Sequence, residues 1–285
     1  MIDNFVIKGT VVGLDYNKWK YDENMLSSVL ISVMSTWEMN SPFEDKDVSD
    51  NLHREYGKIK YAYSGFMNDI HNLAITLDMI ESNLNNQSLE QGKKLMYLTL
   101  LVEVYFTNLR SIYDFTTYFP RLLIEEKNFA QLPSRNEGSI KEFIKYIKKD
   151  STKGVFAPEV IEVFVEGEIN LDYVREIRDL IIHKGRVPIL FIDKNDVKFS
   201  VGKDGVNNSL PNILNEECQA YDLRKYLCKI TNNLFDYIEN LGRAMYQEFL
   251  KKDNNYKVYL GGLTGVCIMK FVEFLGWNDL SRTKD

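Results

Sequence analysis

Cysteine and histidine are scarce in this sequence of 285 residues, which contains three of each. The cysteines, Cys218, Cys228 and Cys267, are odd in number and follow no Cys-x-x-Cys spacing. This pattern argues against a disulfide scaffold or a zinc site and favours a reducing compartment. We therefore expect neither a metal nor a cofactor.

Long apolar runs and an excess of basic residues are also missing. The most apolar segment, residues 95–106, contains Glu103 and is shorter than the roughly 18 apolar residues of a membrane helix. The first residues lack the basic start and the cleavage site of a signal peptide. The net charge is −6, so a nucleic acid would need a local basic patch. These absences predict a cytoplasmic protein with no membrane partner.

The chain does have enough apolar side chains for a large core, with 45% hydrophobic and 13% aromatic residues. Apolar residues recur at helical spacing from 50 to 84, where Asn85 and Asn86 interrupt them. Ser88 and Gln91 have the spacing of a capping box before a second long helix, which runs to about Phe119. Two long helices joined by a short turn predict an antiparallel hairpin.

Further helices are predicted from start signals and apolar periodicity. Asn170 caps one that ends at Gly185, and the last long helix includes Cys218 and Tyr221. The other start signals are Asp22, Ser139 and Pro158.

Strands are predicted at residues 2–14 and, as a hairpin, at 187–201. The predicted fold class is therefore mainly α, an antiparallel helical bundle with a small β-hairpin appendage. We divide the chain into an N-terminal strand/helix extension at 1–48, the bundle with its hairpin at 49–253, and a C-terminal tail at 254–285 that packs on the bundle.

Of the three histidines, His183 has the most suggestive surroundings. We expect His53 to be exposed and His71 to be a partly buried packing residue. His183 lies in the last turn of its predicted helix, four residues after Asp179. That carboxylate can orient the imidazole and favour its charged form, and the helix C-terminus acts in the same direction.

Positive charge is concentrated around this histidine. Four basic residues fall in one window of twelve: Arg175, Arg178, Lys184 and Arg186. An imidazole that moves protons, beside a guanidinium that stabilises phosphoryl oxygens, suits cleavage of a phosphate ester without a metal.

The segment Arg178-Asp-Leu-Ile-Ile-His183 resembles the Arg-x4–6-His motif of the HEPN superfamily of ribonucleases. Asp179 stands where that family commonly has Asn. The stretch Asn108-Leu-Arg-Ser-Ile-Tyr-Asp114-Phe is similar to a Leu-Arg-Ser-x-x-Asp segment of several HEPN families. The resemblance covers roughly residues 49–252.

The resemblance implies a HEPN-like helical bundle and a metal-independent endoribonuclease that cleaves single-stranded or loop RNA, as a toxin or phage-defence effector. The 2′-hydroxyl would attack the adjacent phosphate and leave a cyclic phosphate and a 5′-hydroxyl. His183 would be the acid/base and Arg178 the phosphate clamp, with Asp179 as the third catalytic residue. The expected RNA-binding residues are Arg175, Lys184 and Arg186.

A homodimer is expected because transesterification uses two proton-transfer groups, whereas the motif supplies one histidine per chain. Active HEPN ribonucleases are two-fold dimers with a composite active site, so the resemblance agrees with this count. An antitoxin or another regulatory partner is a further expectation.

Several alternatives stay open at this point. Arg110 and Asp114 form either a plain intrahelical ion pair or a support for the motif. The lysines of residues 139–149 form either a solvated face or a stripe that tracks phosphates. Residues 261–265, Gly-Gly-Leu-Thr-Gly, lack the lysine of a P-loop and predict a turn or a close-packing site. The chain as a whole is either a nuclease, a non-catalytic module that binds nucleotide, RNA or protein, or a helical scaffold with an accidental motif.

Overall fold

The protein is described by a computed structural model that covers residues 25–41, 49–132, 138–149, 152, 154–184, 188–193, 196–202, 209–216 and 218–276. The strand predicted at 2–14 and the helix start predicted at Asp22 lie outside these residues. Within them the protein is mainly helical with one small three-stranded antiparallel sheet, which confirms the predicted helical class.

Seven α-helices and three strands are seen in the described part of the chain. The helices are α1 (Val29–Asn40), α2 (Asp50–Asn85), α3 (Gln91–Thr116), α4 (Ile140–Ile147), α5 (Pro158–Arg178), α6 (Leu223–Lys252) and α7 (Val266–Phe274). The strands are β1 (Ile189–Asp193), β2 (Asp196–Ser200) and β3 (Tyr221–Asp222).

The predicted hairpin of two long helices is confirmed as α2 and α3, which pack along each other. The capping box is wrong, because the Ser88 hydroxyl donates to Asn86 Oδ1 at 2.7 Å and no side chain caps α3. Helix α3 also ends at Thr116 rather than near Phe119. Pro120 has no N–H to donate to the Thr116 carbonyl oxygen, so the α-helical hydrogen bonds stop there, and a 3-10 turn follows. The buried stripe of α2 contains Ile59, Ala62, Tyr63, Phe66, Ile70, Leu73, Leu77 and Ile80.

One continuous helix, α5, replaces the two helices predicted between Pro158 and Gly185. Asn170 is not a cap: its Oδ1 accepts a hydrogen bond from Asn233 Nδ2 of α6 at 3.0 Å. With its side chain engaged by a neighbouring helix, Asn170 does not compete for the backbone hydrogen bonds of its own helix.

Helix α1 begins at Val29, and its N-cap is Ser28, six residues after the cap predicted at Asp22. Ser28 Oγ accepts from the Ile31 N–H at 3.1 Å and caps the helix. Leu26, which the periodicity places inside the helix, is extended and exchanges two backbone hydrogen bonds of 2.8 Å with Leu263. The segment before α1 is therefore tied to the segment after α6.

Helix α6 lies at the centre and contacts α1, α3, α5 and the sheet. Its Glu239 is buried and accepts a hydrogen bond from the Val29 N–H at 3.0 Å. A carboxylate of α6 thus faces the positive N-terminal end of α1 and stabilises it. At Gly242, one turn further on, the backbone of α1 comes so close that a Cβ would lie 2.1 Å from the Leu30 nitrogen.

The predicted hairpin is confirmed and gains a third strand. On β2, Phe199 pairs with Tyr221 of β3, a residue that the sequence pattern places in the last helix. The last helix, α6, starts later than the sequence predicts. Asp222 Oδ1 accepts a hydrogen bond from the Lys225 N–H at 2.8 Å and caps the helix there. Cys218 likewise precedes the helix. The Phe199 and Tyr226 rings, 5.2 Å apart, attach the sheet to α6.

The C-terminal segment packs on the helical hairpin of α2 and α3 through α7, which contacts α2. Close packing at Gly261 is confirmed, since a Cβ there would lie 2.1 Å from Ser35 Oγ. Across the described residues, no helix combines the length and the apolar character needed to cross a membrane.

Replacing Gly242 with alanine should lower the free energy of unfolding by about 1–3 kcal/mol, because the Leu30 backbone cannot yield unless α1 lifts from α6. Gly92→Ala is the matched control, since its Cβ would meet only Glu90 Oε1 at 3.8 Å. That variant should be more stable than the parent by up to about 1 kcal/mol. Urea unfolding measures both. Equal stability of the two variants would show that α1 does not approach α6 at Gly242.

Candidate functional site

The end of the Arg-x4-His motif lies in a π-helical turn, Asp179–His183, that continues α5. The Lys184 N–H donates to the Asp179 carbonyl oxygen at 3.1 Å, a bond between residues five apart. The sequence predicts an ordinary α-helical turn, in which Arg178 and His183 would lie about 140° apart around the axis. A π turn has more residues per turn than an α-helix, so the backbone of position 183 is rotated less far from that of Arg178 than in an α-helical turn. Such turns are frequent at functional sites.

Two arginines at this end of α5 are held by carboxylates. Arg178 Nη1 lies 3.3 Å from Asp179 Oδ1, and both side chains are about one third exposed (32% and 38%). One turn earlier, Arg175 Nη1 lies 3.0 Å from Asp172 Oδ1. Both guanidinium groups remain accessible from solvent.

The pair on α3 faces this end of α5. Arg110 Nη2 lies 3.0 Å from Asp114 Oδ1, and the Arg110 side chain is only 12% exposed. Burial lowers the pKa of Arg110, the charge of Asp114 raises it, and the positive charges of Arg178 and Arg175 lower it again. Helix α3 packs against α5 and such effects decline with distance, so Arg110 lies near the end of α5 that carries Arg175 and Arg178. The structure thus contains both the intrahelical ion pair and the approach to the motif that the sequence left as alternatives.

Asp114 also connects a third helix to the site. Its Oδ1 accepts the Ile140 N–H at 2.9 Å, so this carboxylate caps α4. Ser139, the cap predicted from the sequence, makes no capping bond with its side chain. Burial raises the pKa of Asp114, although Arg110, the Ile140 N–H and Arg178 each pull it down. One half-buried carboxylate therefore joins α3, α4 and the charges at the end of α5.

Two buried donors of α3 have no hydrogen-bond acceptor among the described residues. They are Nη1 of Arg110, which lies beside this carboxylate, and Nδ2 of Asn108. Such groups are rare in folded proteins because each costs free energy, and they call for an explanation such as a ligand.

We call Arg110, Arg175 and Arg178, with Asp114 and Asp179, the arginine cluster. It gathers three permanent positive charges on a protein of net charge −6. The planar guanidinium group matches the geometry of a phosphate, which it can bind with two parallel hydrogen bonds. The cluster is thus suited chemically to a phosphodiester.

The other residues singled out in the sequence fall in different places. Lys184 is exposed directly after the π turn, whereas Arg186 lies outside the described residues. His53 is exposed, as predicted. His71 is exposed too, and the expectation of partial burial is wrong. The buried face of α2 contains Ile70 and Leu73, and position 71 lies outside that face.

Sequence reasoning missed two features of the site. Neither the π turn nor the capping of α4 by Asp114 leaves a signal in the local sequence.

Sequence reasoning also missed two adjoining cavities between α2 and α6. The cavity of about 300 Å³ extends to the sheet, and the cavity of about 680 Å³ extends to α7. Both are lined by Leu77, Glu81, Asn85 and Arg224. No predicted site residue lines them. The described residues contain no group of three or more His, Cys, Asp or Glu side chains placed to hold a metal ion.

Comparison with known protein families, with curated proteins and with solved structures finds no match to this chain.

Asp114 should contribute to stability through two separable contacts. Asp114→Asn keeps an acceptor for the Ile140 N–H but leaves Arg110 without its counter-charge, so we expect a loss of about 1 kcal/mol in the free energy of unfolding. Asp114→Ala removes both contacts and should cost about 2–3 kcal/mol. Asp172→Asn, which breaks an exposed pair, should change stability by less than about 0.5 kcal/mol. If urea unfolding gives three equal values, Asp114 does not link α3 to α4.

Proposed function

We propose that this protein is a metal-independent endoribonuclease of the HEPN type that cleaves single-stranded or loop RNA. The observation that carries the proposal is the arginine cluster. Arg110 of α3 lies close enough to Arg178 and Arg175 of α5 for their charges to lower its pKa, and α5 leads directly into the π turn that holds the backbone of His183. Both stretches that resemble HEPN sequences therefore contribute residues to one place in the fold.

In the proposed reaction, the 2′-hydroxyl attacks the adjacent phosphorus and the bond to the 5′ oxygen breaks. The products are a cyclic phosphate and a 5′-hydroxyl. His183 takes or delivers the proton, and Arg178 binds the non-bridging oxygens, on which charge develops. Asp179, 3.3 Å from Arg178, holds that guanidinium group in place.

Arg110 and Asp114 support this arrangement from α3. Asp114 fixes Arg110 through Nη2, whereas Nη1 has no acceptor among the residues that the structure describes. A phosphate oxygen would satisfy that donor and add a second guanidinium group to the clamp. Within the cluster, Arg175 supplies further positive charge for the RNA, together with Lys184 and Arg186.

The proposed enzyme acts as a homodimer whose composite active site holds two copies of the motif. One copy would activate the 2′-hydroxyl and the other would protonate the leaving oxygen. The proposed biological role is that of a toxin or phage-defence effector, restrained by an antitoxin or another regulatory partner.

His183→Ala should lower the cleavage rate of labelled single-stranded RNA, measured in EDTA, by about 10²–10⁴-fold. Its stability should fall by at most about 1–2 kcal/mol, because the residue lies at a helix end. Arg178→Lys should also lose most activity, since a point charge does not reproduce the fork of the guanidinium group. His53→Ala and His71→Ala, at exposed positions, serve as controls.

Wild-type cleavage rates in His183→Ala would exclude this histidine as the acid/base. Binding of RNA by the wild-type protein without cleavage would instead favour a non-catalytic module, and neither binding nor cleavage would favour a scaffold. DNA of the same sequence should stay intact, because it lacks the nucleophile.

Inactive chains should poison active ones if the site is composite. When wild type and His183→Ala exchange subunits, cleavage should fall roughly as the square of the wild-type fraction. The control is a mixture of wild type with His71→Ala, in which the rate should not change. A linear fall, or full activity of a monomer in light scattering, would show that each chain cuts alone.

A further inference from the structure

A row of lysines begins at the arginine cluster and runs along α4. The first residue of α4, Ile140, donates its N–H to Asp114 at 2.9 Å, so this end of the helix is fixed beside Arg110. Lys141 is the next residue along the chain. The start of the row is therefore set by a hydrogen bond within the cluster.

Lys141 and Lys145 lie on the outer face of α4, and Lys149 is exposed two residues after the helix ends. The inner face of α4 is buried, which holds the lysines on the outside. Lys141 and Lys145 are four residues apart, so with 1.5 Å of rise per residue their backbone positions are about 6 Å apart along the axis. Lys149 follows in a turn in which its N–H donates to the Tyr146 carbonyl oxygen at 3.1 Å. The buried residues of α4 are Ile140, Phe143, Ile144, Tyr146 and Ile147.

Acidic side chains neutralise only part of the positive charge of this row. Lys145 pairs with Glu142 at 2.7 Å, and the adjacent Lys148 pairs with Glu168 at 2.5 Å. All four side chains are exposed by 38–57%, and ion pairs of this kind are weak and easily exchanged. Lys141 makes no ion pair with any residue that the structure describes. The row therefore keeps positive charge available for an anionic partner.

We propose that Lys141, Lys145 and Lys149 form a phosphate track along which single-stranded RNA runs from the arginine cluster. This inference rests on the proposed function and adds a second RNA path to the one expected over Arg175 and Lys184. The lysines contact the backbone and not the bases, so the track is indifferent to sequence. Binding along it releases counterions and is therefore sensitive to salt.

The test uses the full chain and a fluorescein-labelled single-stranded RNA with 2′-O-methyl groups, which cannot be cut and is long enough to cover α4. Its affinity is measured by fluorescence anisotropy at several salt concentrations. The track variant carries Lys141→Glu, Lys145→Glu and Lys149→Glu. The control variant carries the same charge change on other elements: Lys93→Glu, Lys229→Glu and Lys257→Glu. Circular dichroism melts check that both variants fold.

Loss of three phosphate contacts should reduce the slope of log affinity against log salt by about 2 and the low-salt affinity by at least about tenfold. The control variant should bind like the wild type. If the track variant binds with the slope and affinity of the control, the inference is overturned.

Cleavage of unmodified RNA by the wild-type protein in EDTA reports separately on the proposed function. Binding that depends on the three lysines, in a protein that does not cut, would keep the track and overturn the nuclease. Cleavage with binding that does not depend on them would keep the nuclease and overturn the track.

Discussion

Burial of α6 is the constraint on which the rest of the structure depends. This helix of 30 residues hides side chains over most of its circumference, so it is stable only when other helices cover it. Helix α3 packs on α6 and makes two buried side-chain hydrogen bonds to it, between Tyr105 and Thr231 at 2.7 Å and between Thr116 and Tyr237 at 2.8 Å. Helix α5 covers it where Gly167 lies against the ring of Tyr237.

These contacts fix the register of α3 and α5 on a common support, and the arginine cluster follows from that register. Arg110 and Arg178 are brought together although like charges repel. Asp114 and Asp179 offset part of the repulsion. Burial of the charged Asp114 carboxylate is itself unfavourable. Such an arrangement is poor for stability, and Arg110 Nη1, which has no acceptor in the described part of the chain, would be satisfied by an anion.

The geometry indicates the path that RNA would follow from the proposed active site. Asp114 contacts both Arg110 and the start of α4, and the lysine row leads away from that point. The scissile phosphate would lie at the cluster, and the backbone beside it would follow α4. In this view, the Asp114 carboxylate positions both the clamp and the track without contacting the RNA.

The sequence by itself determined features that depend on neighbours close in the chain. The long apolar periodicities predicted α2 and α3, the strand pattern of residues 187–201 predicted the hairpin, and Gly185 marked the end of the segment that forms α5 and its π turn. Tertiary structure decided the features that depend on distant partners. Helix α5 is continuous because Asn233 engages Asn170, and the ends of α1 and α4 rest on carboxylates of other helices. A residue's local preference is worth only a few tenths of a kcal/mol to about 1 kcal/mol, so one buried hydrogen bond from elsewhere in the fold can override it.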